Sequence, residues 1–325
     1  MRYIEAIKDG FKLVHRVWQL VLVQLSMVFI SGIGFFVFVG VPLVVALILF
    51  SIDLTGIIDK DIFHLLKEPT EIISRYFWIA LFVILGLLIY SLAVITLSIY
   101  VFGGSVGVIG KALENKNLRF SMHVFFSEAK RLFLPMLGFT TLVGILLIAV
   151  AFVFGIFGGG VIALVSFIKS QDSTLALFLS LFFSLILILF LLTLFLGILS
   201  ITIYGTAILA IKGISPLKSL KAAFQYIMKQ PQAFWLYLLL LGGYILISFI
   251  LVLVGYPFKL IPVIGAIIYL PYQLISYVFQ TYIALAIIAT IFIYYYSTEI
   301  YREPVAESSA SQTPSPQDEN MTHNT

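Results

Sequence analysis

Residues 215–241 read SPLKSLKAAFQYIMKQPQAFWLYLLLL. Ser215 is placed to cap a helix start by accepting a hydrogen bond from a free backbone N–H. Pro216 suits the first helical position, where no donor is needed. Leu217, Leu220, Phe224 and Ile227 recur at i, i+3, i+7 and i+10, one face of a helix, with Lys218, Lys221 and Gln225 opposite. Pro231 ends or kinks that helix, and an uncharged run follows at once. The pattern predicts a short basic amphipathic helix that lies on a membrane surface and feeds a spanning helix.

Composition makes the membrane unavoidable. Of 325 residues, 62% are hydrophobic and only 10% charged, against roughly 25% charged in a soluble domain. So few charges cannot coat a soluble protein of this size, and the bilayer is the solvent for most of the chain. The absence of cysteine rules out disulfides, thiolate metal sites and cysteine nucleophiles. The first apolar run, 18–52, far exceeds the roughly 7–15 residues of a signal-peptide core, and no A-x-A site follows. It is expected to stay as a membrane anchor.

Uncharged runs occupy 18–52, 76–110, 132–168, 173–211, 230–258 and 260–298. Most are much longer than the roughly 20 residues that cross the hydrocarbon, so each is either one long span or a hairpin of two. Charge decides between these. Arg2, Lys8, Lys12 and Arg16 precede the first run, and 53–75 is acidic. Residues 111–131 hold five Lys/Arg, 169–172 balance, 212–229 hold four and no acid, and Lys259 stands alone between the last two runs. Basic and non-basic segments alternate, which requires an odd number of crossings per run. Six spans follow, and the positive-inside rule puts both termini and the basic loops in the cytoplasm of a cell-membrane protein. Surplus length is expected to be absorbed by tilt and by breaks near Gly32, Gly34, Pro42, Gly158–Gly160, Pro262 and Pro271.

The opening cassette recurs. Ile4, Ile7, Phe11 and Val14 share its spacing, as do Met122, Phe125, Ala129 and Leu132. The fold class expected is therefore an all-α integral membrane protein with six transmembrane helices in three pseudo-repeats. The units are about 1–115, 116–213 and 214–302, each preceded by a cytoplasmic amphipathic helix. Residues 303–325, rich in Pro, Ser, Thr and Gln, are expected to form a disordered cytoplasmic tail, since they cannot bury enough apolar surface to offset their ordering entropy.

Candidate chemistry is sparse. Gly103-Gly104-Ser105-Val106-Gly107 matches G-x-S-x-G, but the four histidines, His15, His64, His123 and His323, lie outside the apolar runs. A serine nucleophile needs a base within reach; Gly104, Gly107 and Gly110 instead form a small-residue strip for helix packing. Asp59-Lys60-Asp61 followed by His64 resembles a divalent-ion motif, although acidic residues there also suit a solvated face, and no metal or other cofactor is expected. Gln273, Tyr277 and Gln280 lie at i, i+4 and i+7 on one face of the last run, with Ser276 and Thr281 adjoining and Gln24 comparable in the first run. Such a stripe either hydrogen-bonds to another helix or lines a polar cavity. No ionisable residue sits well inside a run, which argues against proton relays, ion-coupled carriers and intramembrane acid–base catalysis.

Lys8, Lys12, Arg16, Lys130, Arg131, Lys218, Lys221 and Lys229 are candidates for lipid headgroups, each contributing about 1 kcal/mol at an anionic surface; bracing the spans is the alternative role. The segments EAIKDGFKLVHRVWQLVLVQL and KSLKAAFQYIMKQPQAFWLYLLL resemble a broad group of bacterial and archaeal six-span proteins. That group includes the membrane domain fused to some glycerophosphodiester phosphodiesterases. The resemblance implies a six-span membrane domain and carries over no catalytic residue. The expected function is a non-enzymatic scaffold that organises membrane or partners. The alternative is a facilitator for lipid-like or amphipathic molecules. Expected partners are the lipid bilayer, anionic lipids, another membrane protein or a second copy, and no nucleic acid.

Overall fold

A computed structural model describes residues 2–48, 69–115, 117–261 and 264–300, and among them there is no strand. Helix α1 spans Tyr3–Arg16, and α2 runs Gln19–Phe35, then through a wider π turn, Phe36–Gly40, to residue 48. After it come α3 (Pro69–Glu114), α4 (Met122–Lys169) and α5 (Ser173–Lys212). The chain closes with α6 (Pro216–Lys229), α7 (Pro231–Lys259) and α8 (Ile264–Tyr295), α8 ending in a second π turn, Tyr296–Ile300. Six of these helices, α2, α3, α4, α5, α7 and α8, are long and apolar enough to cross a bilayer. The Asp59-Lys60-Asp61 motif, His64, Pro262 and the 303–325 tail lie outside the described residues.

Local chemistry sets the boundaries. Ser121 Oγ accepts from the Val124 N–H at 3.2 Å and starts α4; Asp172 Oδ1 accepts from the Thr174 and Leu175 N–H groups and starts α5. Gly213, at φ 63°, ends α5 in a left-handed turn that a side chain would oppose. Pro216 and Pro231 open α6 and α7. Ser215 holds the capping position of α6, but its hydroxyl makes no capping bond, contrary to the expectation from sequence.

The expected breaks are fewer than the prolines and glycines implied. Pro42 cannot donate to the Phe38 carbonyl, and the π turn at Phe36–Gly40 absorbs the mismatch. Gly86 of α3 fits against that carbonyl and the Pro42 ring, where a side chain would collide. By contrast α4 continues through Gly158–Gly160 and α8 through Pro271 without interruption. With no water to compete for backbone groups in hydrocarbon, a helix keeps its bonds across glycine. Helices α4 and α5, at 48 and 40 residues, measure about 72 and 60 Å, well over the roughly 30 Å of hydrocarbon.

Packing concentrates at one end, where the starts of α2, α4 and α7 meet the ends of α3, α5 and α8. Val106, Phe125, Ala207, Ala286 and Phe292 form part of one buried cluster there. Tyr204, Tyr226, Tyr237 and Tyr295 belong to a second, and Phe139, Val143 and Ile198 to a third. Away from this collar the helices face lipid: Ile148 and Phe152 of α4 and Leu185 and Ile188 of α5 are exposed.

Three crossings build the collar. Helix α1 lies on α8, the first turns of α4 lie on the end of α3, and α6 lies on the end of α5. Small residues mark each contact. A methyl group on Gly10 would run into Thr290. One on Gly104 would sit 2.6 Å from the Phe125 ring and 3.0 Å from Ala129 Cβ, and one on Gly205 would lie 3.7 Å from Ala223 Cβ of α6 and run into the Phe139 ring of α4. Each bracing segment also bonds to a span other than the one it crosses. Arg16 Nη2 donates to the Ala112 carbonyl of α3, Arg131 Nη2 to the Ala210 carbonyl of α5 at 3.3 Å, and Tyr226 OH meets Thr298 Oγ1 of the α8 terminus at 2.7 Å.

The amphipathic faces read from sequence are only partly those buried. In α1 the buried residues are Ala6, Gly10, Leu13 and Val14, while Ile4 is 78% exposed; in α6 they are Ser219, Ala223 and Tyr226, while Leu217 is 64% exposed. The protein-facing side is turned about 100°, one residue's step, from the large-apolar side. In these helices charges and large aliphatics are both exposed, and the side against another helix includes the small residues Ala6, Gly10, Ser219 and Ala223. In the middle cassette Phe125, Ala129 and Leu132 are buried, and the segment is not the separate helix expected. It is the first part of α4, which carries Pro135 internally.

Candidate functional site: a lateral cleft between α7 and α8

Gln273, Tyr277 and Gln280 fall on one side of α8 because seven residues make nearly two helical turns. The side they occupy faces the half of α7 farther from the collar. Together with Leu251, Gly255, Lys259, Tyr269, Tyr272 and Ser276 they line a cleft of about 260 Å³. Gly255 makes room for the Tyr272 ring, which a side chain there would displace. The Tyr272 hydroxyl donates to the Leu251 carbonyl and ties the two helices together. The Lys259 ammonium lies 4.8 Å from the centre of the Tyr269 ring, a cation–π distance.

The polar stripe is not consumed by interhelical bonding. Among the described residues Gln273, Tyr277 and Gln280 make no side-chain hydrogen bond to another helix, so their amides and phenol remain available to the cleft. Ser276 is 9% exposed and its Oγ has no hydrogen-bond partner. A larger hollow of about 610 Å³ flanks the α4–α5 turn, but its Lys169, Ser173 and Thr174 are exposed surface residues.

Gln24 is not part of this site. Its Nε2 donates to Ser105 Oγ at 3.0 Å, and Ser105, fully buried, donates to the Val101 carbonyl. The G-x-S-x-G serine is thereby held in helix packing, and among the described residues no base contacts it. No group of acids and histidines that could hold a metal occurs among the described residues either.

The basic candidates divide. Lys8, Lys130, Lys218, Lys221 and Lys229 are exposed at the collar, and Lys12 pairs with Asp9 at 3.3 Å on the surface. Arg16 and Arg131 cap the ends of α3 and α5 as described. Arg131 also meets Glu128 at 2.6 Å, and Lys111 meets the other carboxylate oxygen at 2.6 Å. Glu128 is 1% exposed. Summing charge over 111–131 hid this acid; its place three residues after Phe125, beside Ala129, was the available signal. On α6, burial pushes the Tyr226 phenol above its ordinary value, with the Thr298 hydrogen bond partly offsetting it.

The fold defines a class: an all-α, multi-pass integral membrane protein with six spans. Beyond that class, no family model, curated protein or solved structure matches the chain.

Proposed function

We propose that this is a non-enzymatic membrane protein that holds an amphipathic, lipid-like molecule in the α7–α8 cleft. The carrying observation is that Gln273, Tyr277 and Gln280 line an open cleft instead of bonding to a neighbouring helix. Polar groups in hydrocarbon seek partners, and a ligand's polar part would supply them. The collar is the fixed body from which α7 and α8 extend. Three bracing segments, each crossing the second span of a neighbouring unit and bonding to the second span of its own, support a three-unit repeat. The basic residues gathered at the collar support a cytoplasmic placement of that end in the cell membrane. They also support attachment to anionic lipid there.

The test is a phospholipid with a photoactivatable acyl chain, cross-linked to the protein in bilayer nanodiscs and mapped by mass spectrometry. Labelling should concentrate on residues facing the cleft. Gln273→Leu with Gln280→Leu should remove that concentration without lowering the melting temperature. Labelling spread evenly over all exposed spans, unchanged by the double substitution, would defeat the proposal and leave the scaffold role as the better account.

A further inference from the structure

We infer that the cleft selects a lipid with an anionic phosphate headgroup, in the leaflet opposite the collar, with Lys259 as its charge partner. The inference rests on the cleft being a ligand site and adds the chemistry of the ligand.

Three observations carry it. Among the described residues Lys259 is the one formal charge lining the cleft, and no carboxylate among them pairs with it. Its contact with the Tyr269 ring orients the ammonium but leaves its N–H groups free to donate. The remaining donors follow in order down α8: the Gln273 amide, the unpartnered Ser276 hydroxyl and, deeper, Tyr277 and Gln280. From Tyr269 to Gln280 is about 16 Å along the helix, half the hydrocarbon thickness. A phosphate at Lys259 would therefore have hydroxyl- and ester-matching groups beneath it.

Size agrees. About 260 Å³ is just below the roughly 300–1,000 Å³ of sites that enclose a whole small molecule. It suits a headgroup alone. The acyl chains would lie outside, along exposed Phe249, Val252, Leu253 and Leu274.

Two photoactivatable lipids with identical chains separate the outcomes: a phosphatidylglycerol and a phosphatidylcholine, each in nanodiscs of otherwise neutral lipid. Cleft labelling by the anionic lipid should exceed that by the zwitterionic one about fivefold, the equivalent of about 1 kcal/mol for one Lys at a charged headgroup. Lys259→Gln should bring the ratio to one, Lys259→Arg should retain it, and Ser276→Ala should lower labelling by both. Melting temperatures confirm that each variant folds. Equal labelling by both lipids, unmoved by Lys259→Gln, overturns the anionic assignment while the cleft stands. Labelling of the cleft by neither lipid overturns the cleft itself. Loss of phosphatidylglycerol labelling on adding millimolar inorganic phosphate would show a site for the free anion and overturn the lipid assignment.

Discussion

Glu128 shows what a single residue decides. Its carboxylate is buried and shared by Lys111 and Arg131, whose side chains remain about half exposed, 43% and 48%. The asymmetry predicts unequal costs. Glu128→Gln leaves two cations that can return to water, a loss on the scale of a charged hydrogen bond, about 1.5–3 kcal/mol. The double change Lys111→Gln, Arg131→Gln strands a buried carboxylate, which costs about 3–5 kcal/mol. Thermal unfolding in one detergent should therefore place the double variant below Glu128→Gln. The reverse order would mean that the carboxylate reaches solvent. Residue type and spacing announced the bases here, but the acid was legible only as a sign opposite to its neighbours.

Elements are joined through close contacts of small residues. Helix α1 meets α8 where Gly10 faces Thr290, side chain and backbone both, so neither partner can yield cheaply. Gly10→Ala should destabilise by about 1–3 kcal/mol, the usual cost of overpacking. Gly242→Ala, with open space around it, should cost nothing and serves as the control. Equal melting temperatures for the two would remove α1 from the collar. The same contact sets the buried side of α1 one residue's step from its large-apolar side. Ile4 and Leu217 satisfy the helical period as well as any core residue, yet both are exposed.

At the scale of the whole molecule, three hairpins rise from one packed end. The turn at Ser170–Asp172 and the link at Gly213–Ser215 terminate opposite ends of α5, a helix of about 60 Å. Because the chain has no cysteine, single cysteines at Gln171 and Lys218 can be read without background. A membrane-impermeant maleimide should label the first only from outside intact cells and the second only in inverted vesicles. Labelling of both from one side would refute single crossings and the collar with them.

The amino-acid order alone determined six spans, the elbows at Pro216 and Pro231, and the polar stripe on one side of the last helix. Each follows from local rules: uncharged length, charge alternation and helical period. The three-dimensional arrangement decided that Gln24 bonds to Ser105, that Glu128 is enclosed, that the middle bracing segment is continuous with α4, and that the stripe opens onto α7. Hydropathy measures escape from water, and lipid and protein interior are equally apolar. Which apolar surface meets protein therefore depends on where distant helices cross, and that information lies in no single stretch of sequence.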